Sequence, residues 1–279
     1  GWLFWRNRAN PVSAATITYE TSRSFLSFTT GTTTQLAEQT FDTNGLPVFS
    51  NIGSPQSSYN AVGYNALDGY LYGITNSAPQ SLIRIHHDGS IEQIATLASI
   101  GFGFNDSTYE FWQSGVIDNN GKYYVGYSNA AANHIYVIDL SVLPATPTST
   151  MVSLSDSTVR IGDYVYIDGN LWGIQNDGIA VRINPNSGVT TKFTQSVVPA
   201  ATTAWMGMWT YGDDSIGIIE RDTGQYVRFK IENSTTGTPT LKEIAKAVGQ
   251  TAPNGDAASC ISHSVDLGIK AEAPAVVLP

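Results

Sequence analysis

Four polar side chains recur at a matched distance from hairpin turns. Counting back five residues from the turn residues Asn65, Asp118 and Asp168 lands on Asn60, Gln113 and Asp163. Asp256 takes the corresponding place near the C-terminus, and in the remaining unit the position falls on Trp205 or Met206. Amides and carboxylates converging on one rim suit two kinds of chemistry. They coordinate a hard cation such as calcium, or they hold a small polar ligand. Carboxylates within several ångströms of each other raise a pKa unless a cation or donors intervene. No lysine stands at the matching positions, so calcium or ordered water is expected to compensate them, and water bridging the polar groups is the simpler arrangement. Asn60, Gln113, Asp163, Trp205 and Asp256 therefore form the expected ligand-binding set, and no residue is assigned a catalytic role.

Aromatic residues offer a second lead. Tyr109, Phe111, Trp112, Trp205 and Trp209 cluster just before or within the same strands. An exposed ring there would stack on a sugar face, whereas a buried one would serve packing. Other chemistry-bearing residues have plainer readings. His86 and His87 sit at the lip of a turn with no partner at metal spacing, and His134 and His263 stand alone. Asp213-Asp214 and Glu220-Arg221-Asp222 read as solvated turn and edge charges. Cys260, the single cysteine, reads as an inert buried thiol and excludes an internal disulfide. No calcium-binding loop, phosphate-binding glycine loop, nucleophile elbow or zinc spacing occurs.

The elements that must position these residues repeat. Gly69-Tyr70-Leu71-Tyr72-Gly73-Ile74 returns as Gly169-Asn170-Leu171-Trp172-Gly173-Ile174, with looser copies at Gly121 and Asp214. The starts at 69, 121, 169 and 214 lie 52, 48 and 45 residues apart. Each unit reads as four short strands, with Asp-Gly turns supplying the positive φ that tight hairpins need. Such units are propeller blades, in which first strands line a central channel. Segments 16–20, 25–29 and 33–38 supply three strands, and the stretch 257–263 supplies a fourth that closes the ring. The expectation is an all-β fold, a single propeller of five blades. A sixth blade requires strands within 41–52, where Pro47 and Gly53 indicate a loop. Leu241 to Val248 reads equally as strand or short helix.

Composition bounds the function. Charged residues make up 13% of the chain, and Ser, Thr, Asn and Gly are abundant. That surface is common in secreted and cell-surface proteins. The net charge of −9 repels phosphate backbones, so nucleic acid is not an expected partner. No stretch approaches the ~20 apolar residues of a membrane-spanning helix. The aromatic opening Gly1-Trp2-Leu3-Phe4-Trp5 breaks into charge at once, too short for a signal-peptide core. Asn105-Asp106-Ser107 and Asn233-Ser234-Thr235 are glycosylation sequons that lean slightly toward secretion.

The phrases Tyr59-Asn60-Ala61-Val62-Gly63-Tyr64-Asn65-Ala66-Leu67-Asp68-Gly69, Leu82-Ile83-Arg84-Ile85 and Gly224-Gln225-Tyr226-Val227-Arg228-Phe229 resemble a family of secreted and surface-anchored microbial proteins. The repeat domain of that family has no assigned function. Asn254-Gly255-Asp256-Ala257-Ala258-Ser259-Cys260 is similar to its closing strand, without that strand's arginine. The likeness covers roughly residues 55–265. It implies a propeller in an extracellular setting and brings no catalytic residues. The expected organisation is an N-terminal extension over 1–14, the propeller over 15–264, and a linker or the start of a stalk over 265–279. The expected function is that of a binding or structural domain, adhesin- or lectin-like, with a glycan or cell-surface partner, within a larger chain or assembly. A carbohydrate hydrolase or lyase acting through channel-mouth carboxylates, and a passive assembly or spacer subunit, are the alternatives.

Overall fold

Short apolar runs punctuated by Asp-Gly and Asn-Gly pairs fold, among the described residues, into twenty antiparallel strands in five four-stranded sheets. The computed structural model describes residues 23–104, 106–108, 111–127, 134–211, 213–252 and 255–259. The chain opens with β1 (Ser24–Thr30), β2 (Thr33–Phe41) and β3 (Pro47–Ser57). A second sheet holds β4 (Tyr59–Asn65), β5 (Tyr70–Thr75), β6 (Ser81–Ile85) and β7 (Ile91–Thr96). The third holds β8 (Ser114–Ile117), β9 (Lys122–Gly126), β10 (His134–Asp139) and β11 (Ser149–Ser153). The fourth holds β12 (Val165–Ile167), β13 (Asn170–Ile174), β14 (Ala180–Ile183) and β15 (Thr190–Phe193). The fifth holds β16 (Trp205–Thr210), β17 (Ser215–Glu220), β18 (Gln225–Glu232) and β19 (Thr240–Val248). Finally β20 (Gly255–Ser259) returns to the first sheet and pairs with β1, placing Ala257 opposite Leu26 and Asp256 opposite Ser27. The result is a five-bladed propeller whose first and last strands share a blade.

Two expectations need correction. The stretch 41–52 is not a loop throughout, because its second half, from Pro47, belongs to β3, the outer strand of the closing blade. Proline is tolerated at the first residue of an outer strand, where no ladder hydrogen bond is lost. Gly53 marks a bulge: the β2–β3 register jumps between Thr34 and Leu36, and Gly53 has φ +64°. A Cβ there would lie 2.0 Å from the Asp88 carbonyl oxygen of the next blade. With β3 in place the first blade is complete, and the described residues hold no strands for a sixth blade. The ambiguous segment from Leu241 is strand β19, paired along its length with β18. The expected strand at 16–20, the extension 1–14, Tyr109, Cys260, His263 and the tail 265–279 lie outside the described residues.

Burial falls from the axis outward. β4, β8, β16 and β20 are buried at every position, whereas most of β19 is exposed. Inner strands of adjoining blades approach closely. A Cβ on Gly115 would meet the Ala61 carbonyl oxygen at 2.1 Å. Side chains fasten the blades across these seams. Ser114 Oγ donates to Ile161 O at 2.6 Å, Thr210 N donates to Ser259 Oγ at 3.2 Å, and Tyr59 N donates to Thr34 Oγ1 at 3.0 Å. The arginine repeated in third strands is structural. Arg84 lies 5.1 Å over Tyr70, Arg182 5.7 Å over Trp172, and Arg228 4.0 Å over Tyr211. Each is a cation–π contact that covers aromatic surface with an aliphatic stem.

Candidate functional site

The inner strands begin with a shared local geometry. Asn60 Oδ1 accepts from the Ala61 N–H at 2.9 Å, and Asp163 Oδ1 accepts from the Tyr164 N–H at 2.8 Å. The Asp163 and Asp256 side chains also reach across to the next blade. Asp163 Oδ2 accepts from the Met208 N–H at 2.8 Å, and Asp256 Oδ2 accepts from the Val62 N–H at 2.5 Å. Val62 lies two residues past Asn60, as Met208 lies two past Met206. Met206, rather than Trp205, therefore holds the fifth blade's place in the ring. Register bulges at Asn60/Gly63 and Trp205/Gly207 set these strand starts.

Asp163 and Asp256, each 1% exposed, meet inside the channel. Burial, and then the Asp256 charge, hold the Asp163 carboxyl well above the usual carboxylate range, and burial does the same for Asp256. Two carboxylates this close and this dry retain a proton between them. Asp256 Oδ1 has no donor of hydrogen-bond geometry among the described residues, so its contact with Asp163 becomes a hydrogen bond only when that proton is present. Burial and the Asp256 charge also push the Tyr59 and Tyr123 hydroxyls above the ordinary tyrosine range. The pair leaves calcium few free oxygens. Three of the four carboxylate oxygens already face backbone N–H groups, and calcium takes six to eight oxygen ligands. No group of three or more His, Cys, Asp or Glu residues arranged for a metal occurs among the described residues.

Above the ring lies a basin of about 480 Å³. It forms where the second strands end and the inner strands begin. Asn76 follows β5, Asn176 lies just past β13, and Arg221 follows β17. Backbone hydrogen bonds hold this rim: Asn76 N donates to Ser58 O at 2.9 Å, Arg221 N to Ala204 O at 3.0 Å, and Ala201 N to Asn176 O at 2.7 Å. Asn60 and Gln113 line the basin together with Phe111 and Arg160, while Asp163 and Asp256 do not. The expected set is thus divided into amides at the rim and carboxyls beneath it. Asn76, Asn176, Arg160 and Arg221 went unnoticed in the sequence. A signal was present for two of them: Asn76 and Asn176 each stand three residues after the repeated glycine, Gly73 or Gly173.

Several other residues differ from expectation. Trp205 borders the basin, but its indole is 1% exposed and donates from Nε1 to Pro199 O at 2.9 Å. It packs with Val165, Met208 and Phe229 and offers no face for a sugar. Trp112 and Trp209 are equally buried, which leaves the half-buried Phe111 as the aromatic at the rim. His134 is not isolated, since its Nε2 lies 3.0 Å from Asp106 Oδ2. His86 pairs with Glu92 at 2.8 Å and His87 stacks on Tyr70, both at an exposed hairpin. Glu220 is fully buried rather than solvated, accepting from Thr203 N and Thr223 Oγ1 at 2.7 Å each.

Residues 25–262 match the model of a family described as a repeat of unknown function (DUF6923). No curated protein matches the chain. Solved structures of similar shape include a protein of unknown function from Bacteroides caccae (10% identity, 82% of this chain, 74% of that one, TM-score 0.46). Another is the periplasmic gluconolactonase of Pseudomonas aeruginosa (12% identity, 82% and 69%, TM-score 0.44). A third is a protein of unknown function from Bacteroides thetaiotaomicron (12% identity, 81% and 57%, TM-score 0.49). None of these likenesses carries a functional argument. Among the described residues no helix is long and apolar enough to cross a membrane.

Proposed function

Because this chain belongs to a family of repeats of unknown function, no activity comes to it by descent, and we propose that it is a non-catalytic binding domain of a secreted or cell-surface protein. Its ligand is a small polar group, a glycan or part of one, seated in the basin. One observation carries this reading: the basin is walled by amides and guanidinium groups, and the two carboxyls that could serve acid–base chemistry are withdrawn beneath it and occupied by backbone donors. A general acid or base must reach the proton it moves within ~3 Å or through one water, and these carboxyls brace adjoining blades instead. The lightly charged, hydroxyl- and amide-rich composition supports the extracellular setting. A hydrolase or lyase reading draws on the same pair, whose retained proton would suit a general acid. Co-sedimentation with insoluble neutral and acidic polysaccharides, followed by a reducing-end assay, separates the two. Retention on a polysaccharide without new reducing ends is the expected result. Accumulating reducing or unsaturated ends would overturn it.

A further inference from the structure

Resting on the reading of the basin as a binding site, we infer that it selects an acidic sugar, with Arg160 and Arg221 receiving the carboxylate and the amides receiving the hydroxyls. The charge is placed against the protein's own bias. The chain carries a net −9, yet the described residues lining the basin include two arginines and no carboxylate. The acids gather elsewhere, with Asp168 and Asp214 lining a smaller cavity of about 240 Å³ formed around the hairpin turns that follow the inner strands. Beneath the basin, the proton retained by Asp163 and Asp256 halves the negative charge an incoming anion would meet.

Both arginines are available. Arg160 is set in place by its loop: its N–H donates to Gln175 Oε1 at 3.0 Å, and Nη1 donates to Val159 O at 3.0 Å and Ser157 O at 3.3 Å. No carboxylate pairs with it among the described residues, so Nε and Nη2 keep their donors for a ligand. Among the described residues Arg221 pairs only with its neighbour Asp222, at 3.1 Å, and both side chains are about 40% exposed. An exposed pair of that kind is weak and readily exchanged. Guanidinium groups present a planar fork that matches a carboxylate. The remaining wall suits a sugar ring. Asn60 and Asn176 use Oδ1 on the Ala61 and Trp205 N–H groups, at 2.9 and 3.1 Å, which turns their Nδ2 donors to ring hydroxyls, and Asn76 lines the wall beside them. Phe111 supplies an apolar edge for ring C–H groups.

The test is titration calorimetry on the whole chain with galacturonate, glucuronate and N-acetylneuraminate, each beside galactose and glucose at equal ionic strength. At least one acid is expected to bind about 10-fold or more tightly than its neutral counterpart, and added salt should weaken it. Arg160→Gln and Arg221→Gln should each remove most of that preference, whereas Lys242→Gln on the outer strand β19 should not. Arg221→Gln keeps the test valid if Arg160→Gln unfolds, since among the described residues an exposed pair with Asp222 is what holds the Arg221 side chain. Neutral sugars binding as tightly as acids, with Asn76→Ala abolishing both, would overturn the charge preference and leave the binding reading intact. Tighter binding of galactose 6-sulfate or glucose 6-phosphate than of any uronate would overturn the carboxylate assignment. No binding by any sugar at 10 mM, roughly the weak limit of a specific site, would overturn both.

Discussion

Asp163 and Asp256 occupy equivalent places in the repeat, but their oxygens are employed differently. Both oxygens of Asp163 accept backbone N–H groups, while Asp256 accepts the Val62 N–H at Oδ2 and its Oδ1 has no donor of hydrogen-bond geometry among the described residues. In Asp256→Asn the amide oxygen can keep the Val62 contact and the new NH₂ can donate to Asp163. In Asp163→Asn an NH₂ must face a backbone N–H, at a cost of about 2 kcal/mol. The pH dependence follows from the raised pKa of the pair. The native state favours the protonated form, so the pair's contribution is complete below the ordinary aspartate pKa and is lost as pH rises through the raised native value. Wild-type thermal stability should therefore fall, relative to Asp256→Asn, as pH rises above the ordinary aspartate range, measured by circular dichroism melts. Asp163→Asn should melt below wild type throughout, and EDTA should move none of the three midpoints. Equal effects of the two substitutions would contradict this asymmetry. The ring residues were legible in the sequence because they sit at a fixed distance from turns. Their separation into rim and buried pair was not, because it depends on bulges at Asn60/Gly63 and Trp205/Gly207 that shift each strand start by a residue.

At the scale of elements, the blades depend on how closely inner strands approach. Gly115 faces the Ala61 carbonyl oxygen, and any Cβ there would force the seam between β4 and β8 apart. Gly115→Ala should cost about 2–4 kcal/mol, read from urea unfolding, because neither facing backbone can yield without breaking its own ladder. A change under about 0.5 kcal/mol would show that the seam has slack. Strands announced by Asp-Gly turns and short apolar runs were readable from the chain, and β4 to β7 lie close to where the repeat puts them. β3 was hidden by the same residues that build it. Pro47 and Gly53 signal a loop in isolation, and only the tertiary contact between Gly53 and Asp88 explains a bulged strand. The Trp205 indole failed as a sugar platform for a related reason. Position near the mouth was readable, but the direction of the ring depends on packing against the neighbouring strands.

At the scale of the whole molecule, closure of β20 against β1 joins two ends of the chain separated by more than two hundred residues and completes both the channel and the rim. The carboxyl pair brings the closing strand against the blade halfway round the chain, so it stabilises the ring that the basin sits upon. A binding face and a structural pair then lie on one axis with separate duties. That separation is the central claim, and one measurement addresses it: retention of an acidic polysaccharide, with reducing ends assayed in the same tube, compared across wild type, Asp256→Asn and the doubly substituted Arg160→Gln/Arg221→Gln protein. The account predicts full retention by Asp256→Asn, loss in the double substitution, and no new reducing ends in any sample. Reducing ends released by wild type and abolished in Asp256→Asn, with retention unchanged in the double substitution, would contradict it.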